Sequence, residues 1–397
     1  MRIILSILIT ITAIYSQTIS QLVEQSISNH TSLKSIKYRI EATDKRVLKS
    51  RNLDNPELSL TINDIQFDDI TNRSIEPMQY TALNIKQKIP WFGKLEAREK
   101  YQSRKRDLLL NSLESARVQL AKRVAINAYQ IEETKEKIDI MKRYINVIKQ
   151  SINIHNNYNS IEQNHHIQSV NSEIILLDIE IKLEKYKAIQ KEQIANLEYL
   201  VQRNIKKLDV NIDIKKPKSL KNYISKVEDN REYHIKLSKV DIAKANRDIK
   251  ELDKYADPFI KVGYFNRADY NDYASVTIGA SIPIYGSEKL EAEASQREIL
   301  AQNSISIDYK NRVVNDIKRE YAKLMEAYNI YFIIKDKTLP KIAHLFELSS
   351  SSIQSGGDIV YYNQLLSKKL LLEEKIIIIK SYYNQTKAEL NALIGRV

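Results

Sequence analysis

No cysteine occurs among the 397 residues. That absence excludes disulfides, thiol catalysis, thiolate metal sites and lipid attachment at an N-terminal Cys. Glycine and proline are scarce too, with seven of each. So few breakers permit helices far beyond the average of about 11 residues. No proline falls within 94–216 or 284–339, whereas Pro56, Pro90, Pro258 and Pro283 flank strand-like segments. Long apolar runs are also missing. Ile376–Ile379 sits between Lys375 and Lys380 and cannot span a bilayer. Ile3–Ile14 is also short for a spanning helix, but with Met1-Arg2 before it and Tyr15-Ser16-Gln17 after it, the segment has the outline of a secretory signal peptide. The expectation is an exported protein cleaved after Ser16 and not lipidated at an N-terminal Cys.

Charged residues make up 28% of the chain and the formal net charge is +12. Such a balance favours acidic partners in general, nucleic acid and anionic membranes among them. The basic residues alternate with Glu and Asp along helical stretches, so a solvated helical surface is the preferred account, without nucleic acid. No nucleophile–base set, phosphate loop or paired-carboxylate arrangement stands out, and neither enzymatic activity nor a cofactor is expected. Gly356-Gly357 lacks the Lys-Ser or Lys-Thr of a phosphate cradle. His155, His165 and His166 gather near one helical turn, but their spacing is no known ligand pattern, and a structural role is preferred to metal contact.

The chain repeats itself. Ile40, Val47 and the run Asn55-Pro56-Glu57-Leu58-Ser59-Leu60 return as Ile242, Ile249 and Asp257-Pro258-Phe259-Ile260-Lys261-Val262. A second block, Ile89-Pro90-Trp91-Phe92-Gly93-Lys94, returns as Ile282-Pro283-Ile284-Tyr285-Gly286. The duplication divides the chain into residues 17–215 and 216–397, each reading helix, strand, strand, long helical hairpin. Strands are expected at about 55–66, 79–90, 257–265 and 273–284, and the hairpins at about 94–205 and 287–394. Within each strand an apolar face (Leu58, Leu60, Ile62; Val276, Ile278) opposes a polar or small one (Ser59, Thr61; Thr277, Gly279).

Four strands cannot close a barrel, and an open edge cannot face lipid with its backbone groups unsatisfied. Closure therefore requires further copies. Two would give the smallest bacterial barrel, three a pore wide enough for a lumen. Trp91, Phe92 and Tyr285 suit either an aromatic girdle at the membrane surface or packing at a helix–strand corner. The unbroken stretch after Lys94 would reach roughly 90 Å as one helix. Heptad-like seams run through Ile138, Met141, Ile145, Ile148 and Ile152, through Val314, Ile317, Tyr321, Leu324, Tyr328 and Tyr331, and through Tyr362, Leu365, Leu372, Ile376, Ile379, Tyr383 and Leu390. A seam at Leu33, Ile36, Ile40 and Val47 marks an N-terminal helix. Hairpin turns are expected near 156–164 and 349–357.

Together these features resemble the TolC-type outer-membrane factors, and Gln87-Lys88-Ile89-Pro90-Trp91-Phe92-Gly93-Lys94 is the most specific point of likeness. The resemblance implies a mainly α fold with β: a homotrimer whose 12-stranded transmembrane β-barrel continues into a periplasmic α-helical coiled-coil barrel. It implies the outer membrane of a Gram-negative cell, a periplasmic adaptor, an inner-membrane pump, and passive export of small molecules, metal ions or proteins. It marks Pro90, Trp91, Gly93, Pro283 and Gly286 as the strand-to-helix signature, and Ser355, Gly356 and Gly357 as the adaptor-docking tip. Where many relatives carry an acidic gate, this chain has Asn363 and Leu366; Asp358, Tyr361 and Tyr362 are the candidate substitutes. Dedicated heavy-metal efflux is one rival reading, weakened by only four Met. A secreted coiled-coil scaffold or a basic nucleic-acid-binding protein is another.

Overall fold

The computed structural model describes residues 17–158, 163–205, 207–353 and 359–396, without the side chains of 154–158, 163–168, 352, 353 and 359. Its elements run α1 (Ile19–Asn29), α2 (Thr31–Lys49), β1 (Glu57–Asn63), β2 (Tyr80–Lys88), α3 (Lys94–Tyr158) and α4 (Gln163–Val201). The second half follows with α5 (Leu220–Ile224), α6 (Arg231–Leu252), β3 (Pro258–Asn266), β4 (Tyr273–Ala280), α7 (Ser287–Phe332), α8 (Leu339–Ile353) and α9 (Ile359–Leu393). No described helix is long and apolar enough to cross a membrane.

These elements form two compact units that cut across the sequence repeats. One takes Ser35–Leu113 and Glu232–Lys310; the other takes the chain up to Lys34, Glu114–Arg231 and Asn311–Val397. The first unit holds a single antiparallel sheet in the order β1-β2-β3-β4. Three of the four strands are shorter than expected, most of all β1, while β3 keeps its expected length; β4 ends at Ala280 because Pro283 and the turn before Gly286 draw the chain off the ladder. Beneath the sheet, ion pairs tie α3 to its neighbours: Arg106 to Asp44 on α2, and Lys100 to Asp248 on α6.

In the second unit, apolar seams meet. Met141, Tyr144, Ile145, Ile148 and Ile152 of α3 pack with Ile179 of α4 and with Tyr362, Leu366, Leu370 and Ile377 of α9. The α3 seam is the one the spacing predicts. On α7 the buried line runs through Val313, Ile317, Leu324 and Ala327, leaving Val314, Tyr321 and Tyr328 half-buried beside it. On α9, Leu370 and Ile377 turn inward while Leu372, Ile376 and Ile379 sit at the margin. Polar pairs flank the α3–α9 contact, with Lys122 on Glu389 at 2.9 Å and Lys380 on Glu136 at 3.2 Å.

Two local features depart from the sequence reading. The N-terminal helix breaks at His30, which takes extended backbone angles, and restarts at Thr31. The segment expected as one helix after Gly286 carries a π-helical turn at Ile333–Thr338. Pro340 explains it: proline offers no N–H and crowds the carbonyl of residue 336, so the turn widens. After Val201 the chain leaves the helix and runs irregularly to Ser219. Leu208 forms a parallel bridge with Gln17, and Val210 and Ile212 cover Ala128 of α3. The expected signal peptide and the tips of both hairpins lie outside the described residues.

Candidate functional site

The sheet's hydrogen-bond register aligns like with like. Leu58, Ile85, Val262 and Val276 are paired neighbours across all four strands, and Leu60, Leu83, Tyr264 and Ala274 form the next apolar row. These rows lie on a surface the chain leaves bare: Leu58 is 70% exposed, Val276 68% and Ile278 75%. A contiguous apolar face of this size marks contact with another surface or with lipid. The opposite face carries Glu57, Lys86, Lys261 and Thr277 in one row and Ser59, Asn84, Gly263 and Ser275 in the next. There Lys86 pairs with Glu57 at 3.1 Å and lies 5.0 Å from the Phe259 ring. Both outer edges, β1 and β4, are free of ladder partners among the described residues.

The Pro90–Lys94 signature is a corner, and each residue in it has a physical task. The Ile89 N–H donates the last rung to the Pro258 carbonyl at 2.8 Å. Pro90 has no N–H, so the ladder stops there. Gly93 turns the chain with φ +83°, a conformation that a side chain would strain. The Ala97 N–H then reaches the Gly93 carbonyl at 2.9 Å and α3 is under way. Trp91 stacks on Tyr255 with ring centres 5.5 Å apart, so it packs at the corner, whereas Phe92 and Tyr285 are about nine-tenths exposed and fit a girdle.

Lys94 locks this corner to the second repeat. Its side chain is 5% exposed and pairs with Asp257 at 2.8 Å and Asp253 at 3.7 Å. It also donates to the Tyr255 carbonyl at 2.9 Å. Asp257 in turn accepts the Trp91 N–H at 2.8 Å. Burial pushes the Asp257 carboxyl up, but hydrogen bonds from Lys94 and the Trp91 N–H, with the charges of Lys94 and Arg98, outweigh it and hold the group below its ordinary value. The adjoining cleft, of about 630 Å³, balances Lys86, Lys88, Lys94 and Lys250 against Asp253, Asp257, Glu288 and Glu291. It selects neither sign of charge. Sequence reading placed Lys94 in the motif but missed its partners; the clue was that Lys94-with-Asp257 in one repeat corresponds to Ser287-with-Asn55 in the other.

Of the tip and gate candidates, Ser355, Gly356, Gly357 and Asp358 lie outside the described residues. Tyr361 is half-exposed, and Tyr362 is buried against Phe346 with ring centres 5.1 Å apart. Asn363 donates to Ser172 of α4 at 2.9 Å, and Leu366 is 3% exposed in the α3–α4–α9 core. Charged contacts also join these helices, with Lys369 of α9 lying 4.7 Å from the centre of the Phe346 ring and Lys149 of α3 pairing with Glu180 of α4 at 3.2 Å. His155, His165 and His166 lie on α3 and α4 at the first hairpin, their side chains outside the described set. Pro283 and Gly286 lie just past β4, with Gly286 at φ +74°.

A family model described as outer membrane efflux protein matches residues 22–159. No curated protein matches the sequence. Among solved structures, the outer membrane protein VceC of Vibrio cholerae aligns with a TM-score of 0.77 at 13% identity, over 95% of this chain and 96% of that one. The MtrE channel of Neisseria gonorrhoeae, in its open state, aligns with a TM-score of 0.79 at 12% identity, over 95% and 89%. The CmeC channel of Campylobacter jejuni gives 0.72 at 11%, over 95% and 85%. By sequence over most of its first repeat this chain matches the outer membrane efflux protein family, and by fold over nearly its whole length it is like the TolC-type outer-membrane channels.

Proposed function

We propose that the chain is one third of a passive export duct in the outer membrane of a Gram-negative cell. Three copies join their four-stranded sheets into a 12-stranded barrel. The exposed rows led by Leu58 and Leu60 face lipid, and the rows with Lys86 and Lys261 face a wet lumen. The helical hairpins continue the duct into the periplasm, where the tip around Ser355, Gly356 and Gly357 meets an adaptor and, through it, an inner-membrane pump. On this reading Asp358, Tyr361 and Tyr362 remain the candidate gate residues. Transport is diffusion through the open lumen; no bond is made or broken and no cofactor takes part. The pump sets the cargo, from the classes of small molecules, metal ions and proteins.

One observation carries the reading: a sheet whose one face is apolar and bare, with an edge on either side that has no partner among the described residues. In water such a sheet would aggregate; in lipid it must close. Reconstitution into planar lipid bilayers tests it. Stepwise conductance is expected, with a band on gels that shifts on heating. A heat-insensitive product that is recovered in the soluble fraction and conducts no ions would favour the scaffold reading.

A further inference from the structure

The duplicated sequence carries a corner in each repeat, but only one of them is completed within the chain. Trp91 and Lys94 of the first corner rest on Tyr255, Asp253 and Asp257. In the second corner Ile282, Ile284 and Tyr285 are 71%, 69% and 90% exposed, and nothing lies within 4 Å of where a Cβ on Gly286 would be. The matching receptor, Arg51–Asn55 at the start of β1, is exposed throughout. Both halves of a second joint are present, at opposite edges of one sheet. They can meet only between two copies.

The repeat supplies the geometry of that meeting. Asn55-Pro56 matches Asp257-Pro258 at an offset of 202 positions, and Ile89-Pro90 matches Ile282-Pro283 at an offset of 193. These offsets carry the observed pair Glu57↔Lys86 onto Phe259↔Gly279, which is a pair the structure contains. The duplication therefore preserves register in the hairpins. Applied to the β2–β3 ladder, the same offsets carry Asn84↔Gly263 onto Thr277↔Thr61 and Ile85↔Val262 onto Ile278↔Leu60.

We propose that β4 of one copy pairs antiparallel with β1 of the next in this register, Thr277 opposite Thr61 and Ile278 opposite Leu60. The inference rests on the barrel reading and adds to it the register and the joint. Its faces agree: apolar meets apolar and polar meets polar, whereas a one-residue slip would cross them. Its stagger agrees as well. A path across the sheet from Leu58 through Ile85, Val262 and Val276 returns on the next copy at Ile62, four residues along for four strands. With a rise of about 3.4 Å and a strand spacing of about 4.8 Å, that stagger tilts the strands by about 35°, within the range of barrels. Slips of two residues give about 20° or about 47° instead.

The joint also keeps matched chemistry. Trp91 on Tyr255 becomes Ile284 on Leu53 of the next copy, and the Lys94–Asp257 ion pair becomes Ser287 with Asn55. An aromatic stack is replaced by an apolar pair, and an ion pair by two neutral hydrogen-bonding groups. Neither substitution leaves a lone charge.

The chain's lack of Cys allows a direct test. Thr61→Cys with Thr277→Cys should oxidise to covalent dimers and trimers, because directly opposed residues meet disulfide geometry. In one chain the two positions sit three strand spacings apart across the sheet and four residues apart along it, about 20 Å in all, so no intrachain bond competes. The pairs Ser59→Cys with Thr277→Cys and Asn63→Cys with Thr277→Cys, each two residues out of register, should cross-link at least tenfold more slowly. Faster cross-linking of either shifted pair in a protein of trimeric native mass overturns the register and leaves the duct standing. A folded monomer that cross-links at no pair removes both. A second readout uses the joint alone: Ser287→Lys with Asn55→Asp should restore heat resistance of the oligomer that each single change lowers. No restoration shows that Ser287 and Asn55 do not meet.

Discussion

Replacing Lys94 by methionine keeps the length of the side chain and removes its charge. The structure sets the size of the effect. Lys94 loses two ion pairs and one hydrogen bond to a backbone carbonyl, all made by an ammonium almost wholly out of water. Breaking a fully buried pair costs about 3–5 kcal/mol. Here the Asp257 and Asp253 side chains keep 27% and 37% of their exposure, so water recovers part of the loss, and about 2–3 kcal/mol per protomer is expected. Asp257→Asn keeps an acceptor for the Trp91 N–H and leaves Lys94 with Asp253, so it should cost about 1–2 kcal/mol. The double variant should fall short of the sum by about 1 kcal/mol or more. The assay is at hand in the sole tryptophan, Trp91, whose ring stacks on Tyr255 at this corner. Urea unfolding of detergent-solubilised protein, followed by Trp91 fluorescence, reads it. The folded-state pKa of Asp257 lies below its unfolded value of about 3.9, so the folded state binds fewer protons in acid. Its contribution is whole above about pH 4 and is lost as pH falls through the folded pKa, a loss Asp257→Asn should not show. If Lys94→Met unfolds within about 0.5 kcal/mol of the unaltered protein, the corner is not the lock described.

Leu60→Arg on the apolar face should cost about 2–4 kcal/mol of insertion stability, with Thr61→Arg on the other face costing far less; folding yield into lipid vesicles measures both. Gly395→Ala should destabilise by more than about 2 kcal/mol in thermal unfolding, because Gly395 sits at φ +69° after α9 and its Cβ would lie 2.0 Å from the Asp229 carbonyl oxygen. His30 is held below its ordinary pKa, first by burial and then by Arg123. The unfolded chain therefore takes up the proton first, and stability should decline as pH drops below about 6.5, a slope that His30→Gln abolishes in the same melts. Gly357→Pro should abolish efflux in drug-susceptibility assays while leaving the oligomer intact on gels.

Much of this fold was legible because period and punctuation coincide. Period-2 runs bounded by Pro56, Pro90, Pro258 and Pro283 became the four strands, and the Ile138–Ile152 seam became the core of α3. Features decided by a neighbour were not legible. His30 breaks a helix without Gly or Pro, held by the Ser32 hydroxyl two residues on, at 2.7 Å, and by the edge of the Tyr199 ring at 5.8 Å, the second a tertiary contact within its own unit. The inward turn of Leu370 and Ile377 depends on which face α3 and α4 present. Half-apolar helices such as α9 offer several seams, and packing chooses one. The lock at Lys94 escaped for the same reason: its partner Asp257 is 163 positions away in sequence, and only the repeat comparison hints at it.

Native mass spectrometry of protein extracted from membranes in mild detergent addresses the central claim, that a single chain holds an unfinished sheet. Three copies per particle are predicted, with monomers appearing only on unfolding. A fully folded single copy, stable once detergent is withdrawn, would contradict it.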